Sequence, residues 1–371
     1  MKTKSFRNFF APMLCLFLTL ASCSSDDGGG DVNDDTLVLT TESNTVLLYD
    51  EVHFVVNANG EAVNDATIYI NNEPISGSAY SFQTEGEFTI SAKKEGLFDS
   101  NIITLTVIEN EEVIKNATKF KHKTLVEDMT GVWCQYCPLV AYDIELFETS
   151  DPEKFQAIAI HNNYDPNNTD PNYGGYDPFD FNPTARRKFE KELGLKGYPF
   201  AITNRVEDFR KNPNSVVERY KSHSTIGVKI NSTLTNSTGT INATIKFTED
   251  YSDKLNYAVF VLEDGLEFRQ SNSTQYYKTA PYIWKNNWTE NFIHNNTLIG
   301  MSSGNFRGTE IPAAQTAKGS EFEIKDMVIN YTAKEVENLK VVIIVTNSTT
   351  GEVLNTVVAK GNKNQNYQIV L

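Results

Sequence analysis

Gly131-Val132-Trp133-Cys134-Gln135-Tyr136-Cys137-Pro138 is the stretch on which the fold of this chain turns. Upstream of it, Lys123 to Met129 (KTLVEDM) reads as a strand; downstream, Pro138 to Phe147 reads as a helix. Two cysteines separated by two residues at such a junction can close a small disulfide ring. A thiolate at a helix N-terminus is stabilised by unpaired backbone N–H groups and by the positive end of the dipole. Cys134 is therefore expected to be exposed and partly ionised near neutral pH, with Cys137, one turn inside, resolving a mixed disulfide. Pro138 falls in the first turn, where a missing N–H breaks no intrahelical bond. The same pair also fits an inert structural disulfide in an oxidising compartment. A zinc site fits poorly: no second pair exists, Cys15 lies in the leader, and Cys23 directly follows it.

Working outward, residues 111–224 alternate strand and helix. Phe155 to Ile160 reads as a second strand, Pro183 to Leu193 as a second helix, Phe200 to Thr203 as a third strand and Ser215 to Lys221 as a last helix. That pattern predicts an α/β layer structure. The segment YDPNNTDPNYGGYDPFDFN between the second strand and second helix is a loop. Its aspartates Asp165, Asp170, Asp177 and Asp180 lack the EF-hand spacing and read as solvated turn formers. His161 ends the second strand at the sheet edge where α/β sites collect, although a histidine in such a place more often caps a loop.

Trp-Cys-x-x-Cys-Pro after a strand, with Gly197-Tyr198-Pro199-Phe200 ahead of another strand, resembles the thioredoxin fold. The resemblance implies that Pro199 follows a cis peptide bond, that Tyr198 and Pro199 offer backbone to an extended substrate, and that Trp133 shields the pair. It also places a buried carboxylate at Asp128, beside Glu127, where it would accept the proton of Cys137.

On either side the pattern is β. From residue 36 to 110, short alternating runs such as Val52 to Val56 and Glu87 to Ser91 are separated by turn clusters such as Asn57-Ala58-Asn59-Gly60. Strands at that spacing predict an immunoglobulin-like sandwich, with a spacer or docking role as the default. From 225 to 371 alternation returns, in runs such as Ile226 to Leu234 and Val341 to Thr346, and predicts a second β-sandwich. A long insertion, Gln270 to Ser303, carries Tyr276, Tyr277, Tyr282, Trp284, Trp288 and Phe292 and reads as a flap folded over that sandwich. Gly300-Met301-Ser302-Ser303-Gly304 matches a serine-hydrolase pattern by chance, since nothing helical follows it.

The chain of 371 residues carries 48 acidic against 33 basic side chains, a formal charge of -15. Such a surface repels polyanions and excludes a nucleic-acid binder that works by neutralising phosphates. Residues 1–22 open with Lys2, Lys4 and Arg7 and continue into an apolar run too short to span a bilayer, the pattern of an export signal. Its end, Leu20-Ala21-Ser22-Cys23, resembles a bacterial lipobox, which implies cleavage before Cys23 and lipidation of that residue. Removing three positive and no negative charges takes the mature chain to -15 - 3 = -18. The tether 23–35, SSDDGGGDVNDD after Cys23, buries nothing, and its acidity resembles the surface-export signal of Bacteroidetes lipoproteins.

This layout, with Glu127-Asp128-Met129-Thr130-Gly131-Val132-Trp133-Cys134 in the middle and Asn291-Phe292-Ile293-His294-Asn295 near the end, resembles the outer-membrane protein 28-related lipoproteins of Bacteroidetes. The resemblance spans most of the chain after residue 111 and implies an outer-membrane location without a defined reaction. The function expected is thiol–disulfide exchange on protein thiols or disulfides at Cys134 and Cys137, without a metal or organic cofactor, on a chain held to the membrane through Cys23. The competing expectation is a non-catalytic surface protein that binds a glycan or protein through its C-terminal sandwich, with the disulfide as a staple.

Overall fold

The computed structural model describes residues 36–165, 167, 169–170 and 174–371. The leader, the tether and Cys23 lie outside the described residues.

The described chain is mostly β and forms several sheets. In residues 36–110, period-two alternation drives the folding: in Glu51–Ala58 the side chains of Val52, Phe54 and Val56 are buried while Glu51, His53 and Val55 face solvent. One sheet contains Val38–Thr41, Glu51–Ala58, Glu61–Ala62 and Ala79–Ser81. The other orders Thr45–Leu47, Ile103–Ile108, Gly86–Lys93, Thr67–Ile70 and Glu73–Pro74. Their shared core includes Leu37, Phe82, Ile90 and Leu105, and it also takes in Tyr367 and Ile369 from the end of the chain. Tyr49 fixes that closure, its Oη donating to the Tyr367 carbonyl at 2.7 Å and accepting the Ile369 N–H at 3.1 Å.

The largest sheet holds the cysteine motif. Its order is Glu207–Asp208, Phe200–Thr203, Thr124–Thr130, Phe155–His161, Thr297–Met301, Leu255–Glu263, Leu339–Asn347 and Val353–Lys360, with Thr309–Ile311 added beside Leu255–Glu263. Thr124–Thr130 and Phe155–His161 run parallel, and Phe200–Thr203 pairs antiparallel on the other side. Every residue of Thr124–Thr130 is buried, as expected of a central strand covered on both faces. Strands from both sides of position 224 thus share one sheet, joined between Phe155–His161 and Thr297–Met301 at the single register pair Ala159 and Thr297.

Alternation sorts this sheet between layers. Leu125, Met129, Ile158 and Ile160 join Ala258, Phe260 and Leu262 in a core under the helix Pro183–Glu192, which contributes Ala185 and Phe189. On the other face Val126 and Ala157 meet Val140 and Ile144 of the helix Cys137–Ser150. Further along that face, Val259, Val261, Val341 and Ile343 pack against a three-stranded sheet, Ile226–Leu234, Thr238–Phe247 and Glu321–Asn330.

The aromatic insertion is not a flap on this β layer. It forms a separate sheet of Leu266–Ser271, Trp284–Lys285 and Trp288–His294. Asn286 and Asn287 both have positive φ, 53° and 65°, and make the two-residue hairpin between Lys285 and Trp288. Tyr276 stacks on Tyr142 of the helix Cys137–Ser150 with centroids 4.0 Å apart, and the Tyr277 hydroxyl donates to Glu145 at 2.8 Å. The insertion therefore clasps the helix that the cysteine motif opens.

Candidate functional site

The cysteine loop leaves the strand Thr124–Thr130 at Gly131, where a Cβ would sit 2.8 Å from Trp133 Nε1 and 3.1 Å from the Asn162 carbonyl. Only glycine allows that approach, and Trp133 Nε1 uses it to donate to Asn162 O at 2.6 Å. The indole lies edge-on to Tyr164 and Tyr198, with centroids at 5.4 and 5.3 Å. Trp133 and Tyr198 are thus brought together. Pro199 follows a cis bond, and its carbonyl accepts from Arg210 Nη1 at 3.0 Å. Tyr198 Oη is bound to Glu190, and burial together with that carboxylate pushes the phenol well above its ordinary range.

Cys134 and Cys137 form a disulfide. Two expectations for them are corrected. The helix begins at Cys137 itself, so this cysteine is the first helical residue and not one turn inside; Cys134 lies in the preceding turn, its carbonyl accepting the Cys137 N–H at 3.2 Å. Cys134 is also buried, at 5% exposure, instead of standing open to solvent. The cause is the clasp. Gln270 Nε2 donates to the carbonyls of Cys134 at 3.0 Å and Gly131 at 3.2 Å, Ser271 N–H to Val132 O at 2.7 Å, and Ser273 N–H to Gln135 O at 2.8 Å.

Asp128 and Glu127 separate by strand alternation. Glu127 faces the Pro183–Glu192 layer and takes a bidentate pair from Arg205, at 2.6 and 2.8 Å. Asp128 faces the helix Cys137–Ser150 and lines a cavity of about 90 Å³ that reaches Pro138, the residue after Cys137. Its Oδ1 has no hydrogen-bond partner, and burial pushes the carboxyl up to about 7 against the opposing pull of His161.

His161 and Asp177, read from sequence as a loop cap and a solvated turn residue, are both buried at this site. His161 Nδ1 lies 2.9 Å from Asp177 Oδ2, and the same oxygen accepts the Val132 N–H at 2.9 Å. His294 adds a second buried imidazole, with ring centroids 5.2 Å from His161. Gln270, Ser271, Asp177 and His294 were not singled out as site residues from sequence. For His161 a signal existed, since it stands two residues beyond Ala159, the register partner of Asp128, and so on the same face. Among the described residues no group of three or more His, Cys, Asp or Glu could hold a metal ion. Ser302 of the Gly-x-Ser-x-Gly match has its hydroxyl on the Val259 N–H at 3.3 Å and no helix after it.

Residues 186–365 match the Outer membrane protein Omp28 family. The Omp28 match starts inside the helix Pro183–Glu192 and takes in Tyr198, Pro199, Gln270 and His294. It stops short of Asp128, Cys134, Cys137, His161 and Asp177, and is narrower than the resemblance drawn from residue 111 onward. No curated protein matches the chain. Among solved structures the chain is similar to HBP35 of Porphyromonas gingivalis, at 16% identity and a TM-score of 0.48 over 66% of this chain and 76% of that one. It is also similar to a protein of Agrobacterium tumefaciens, at 14% identity and a TM-score of 0.36 over 66% of this chain and 97% of that one. Among the described residues no helix is long and apolar enough to cross a membrane.

Proposed function

We propose that this chain is an outer-membrane lipoprotein, anchored through Cys23 and exported by its acidic tether, that carries out thiol–disulfide exchange at Cys134 and Cys137. In this reading residues 111–224 are a thioredoxin-like unit between an immunoglobulin-like sandwich, 36–110, and a C-terminal sandwich, 225–371. The parallel pair Thr124–Thr130 and Phe155–His161, with Phe200–Thr203 antiparallel beside them, supports that unit. The Omp28 match supports the outer membrane.

The observation that carries the chemistry is a buried carboxyl, Asp128, with an unpartnered oxygen in the cavity beside the helix that Cys137 opens. In the reduced state Cys134 thiolate attacks a disulfide of a protein substrate, forming a mixed disulfide and releasing one substrate thiolate. Cys137 then gives its proton to Asp128 and its sulfur attacks Cys134, so that the pair is oxidised and the second substrate sulfur leaves as a thiolate; one substrate thiolate takes the proton held by Asp128 and the other takes one from solvent. Trp133 covers the pair while Tyr198 and Pro199 present backbone to the substrate.

A second reading rests on a specific observation, the burial of Cys134 beneath Gln270: a non-catalytic surface protein whose disulfide stays closed. The mature chain separates the two. Exchange predicts a moderate reduction potential and mixed disulfides trapped from envelope proteins by Cys137→Ser. A potential below roughly -300 mV with nothing trapped would leave the closed bridge as the answer.

A further inference from the structure

Beside the helix Cys137–Ser150 stands a group of titratable side chains that the two cysteines do not by themselves require. The register pairs Asp128 with Ala159 and Thr130 with His161 on adjacent parallel strands, so Asp128 and His161 are diagonal neighbours on one face. The same cavity is lined by His294 from the clasp, by Glu145 and Glu148 from the helix Cys137–Ser150, and by Tyr277 and Tyr282. Glu145 is engaged by the Tyr277 hydroxyl and Glu148 by Asn296 Nδ2 at 2.7 Å. His294 is held neutral by burial and by the charge of His161, and its Nε2 has no partner. Glu127 looks the other way, into Arg205.

His161 is fixed from behind. Asp177 Oδ2 meets its Nδ1 at 2.9 Å and accepts the Val132 N–H, while Oδ1 accepts the Phe179 N–H at 2.9 Å. A carboxylate so placed takes Nδ1–H and leaves Nε2 as the nitrogen that exchanges a proton. The rings of Phe179 and His294 both pack against the imidazole, with centroids at 5.1 and 5.2 Å, and lie 5.2 Å from each other. One carboxylate therefore holds both this imidazole and the backbone two residues before Cys134.

We propose that His161, oriented by Asp177, is a positioning residue for the exchange reaction: it acts on Asp128 across the cavity that both line, at the step where Asp128 takes the proton of Cys137. This rests on the exchange reading above. Burial alone favours a protonated Asp128, which cannot accept a proton; His161 on the neighbouring strand opposes that.

The test uses the full mature chain. In the oxidised protein the carboxyl stretch of Asp128, assigned by its loss in Asp128→Asn, is titrated by infrared difference spectroscopy. His161→Gln is expected to move the midpoint up by about one pH unit or more, the usual effect of removing a nearby opposite charge. Asp177→Asn, which keeps the ring but frees it, should move the midpoint in the same direction and serves if His161→Gln does not fold. In the reduced protein, closure of the pair after reaction with a small aromatic disulfide should slow at pH 7, about fivefold for a midpoint raised by one pH unit from about 7. A wild-type protein that does not react with this probe sinks the exchange reading and with it the role given to His161. A reactive wild type whose Asp128 midpoint is the same in folded His161→Gln and Asp177→Asn overturns this inference alone.

Discussion

Gln270 and Cys134 are joined by a hydrogen bond of 3.0 Å from the glutamine side chain to the cysteine carbonyl, between residues 136 positions apart. The contact brings the C-terminal segment onto the cysteine loop and accounts for the burial of a sulfur that the local motif would leave open. Replacing Gln270 by Ala leaves the Cys134 and Gly131 carbonyls without this donor. Each carbonyl keeps a backbone donor, the Cys137 N–H at 3.2 Å and the Cys134 N–H at 2.9 Å, so the expected loss in urea unfolding is about 0.5–1.5 kcal/mol, the usual net worth of a hydrogen bond. Alkylation of Cys134 in the reduced protein should speed several-fold. Unchanged alkylation in a destabilised variant would show that the clasp is not what restricts access.

Asp128 makes stability depend on pH in a direction opposite to that of a salt-bridged acid. Its carboxyl moves from an ordinary 3.8 to about 7 on folding. Between these values the native state holds a proton that the unfolded chain has lost, so stability falls as pH rises through the window, and the loss is complete above about 7. Asp128→Asn removes the effect. The variant should gain on the wild type from pH 4 to pH 8, by an amount on the order of a few kcal/mol. Urea unfolding at pH 4, 6 and 8 checks it; parallel curves for the two proteins would be the contrary result.

The cysteine helix, its flanking strands and the paired Phe200–Thr203 strand were legible because each is a local pattern: branched residues, a proline in the first turn, alternation. Alternation also puts Glu127 and Asp128 on opposite faces. It does not name the partners, because Arg205 reaches Glu127 only after the chain has passed through two helices and two strands. The clasp was illegible for a related reason. Its aromatic rings are spread along a polar segment, and the turn signal Asn286-Asn287 joins strands of two and seven residues that gain order mainly from Tyr142 and the cysteine loop. The shared sheet likewise leaves little local trace, since one register pair, Ala159 with Thr297, carries it across.

Reduction of the disulfide distinguishes a reactive pair from a staple. A ring this small removes little freedom from the unfolded chain, about 2 kcal/mol in the chain-entropy account. Treatment with a dithiol reductant should therefore lower stability by about that amount and leave the far-ultraviolet circular dichroism unchanged. Unfolding on reduction at 25 °C would mark the bridge as structural and argue against turnover.

The Glu127–Arg205 pair offers a control on the opposite face of the same strand. Both side chains are almost fully buried, Arg205 also lies over the Phe189 ring at 4.8 Å, and its Nη1 has no hydrogen-bond partner. Removing one member, as in Arg205→Met, leaves a buried carboxylate unpaired and should cost about 3–5 kcal/mol, whereas replacing both by apolar residues of similar volume should recover much of that loss. Denaturant unfolding of the two single variants and the double variant measures the coupling. Because Glu127 points away from the cavity, the Asp128 midpoint should stay where it is in any of these variants that folds. A midpoint that moved with Arg205 would mean that charge is felt through the sheet, and the assignment of control to His161 would have to be shared.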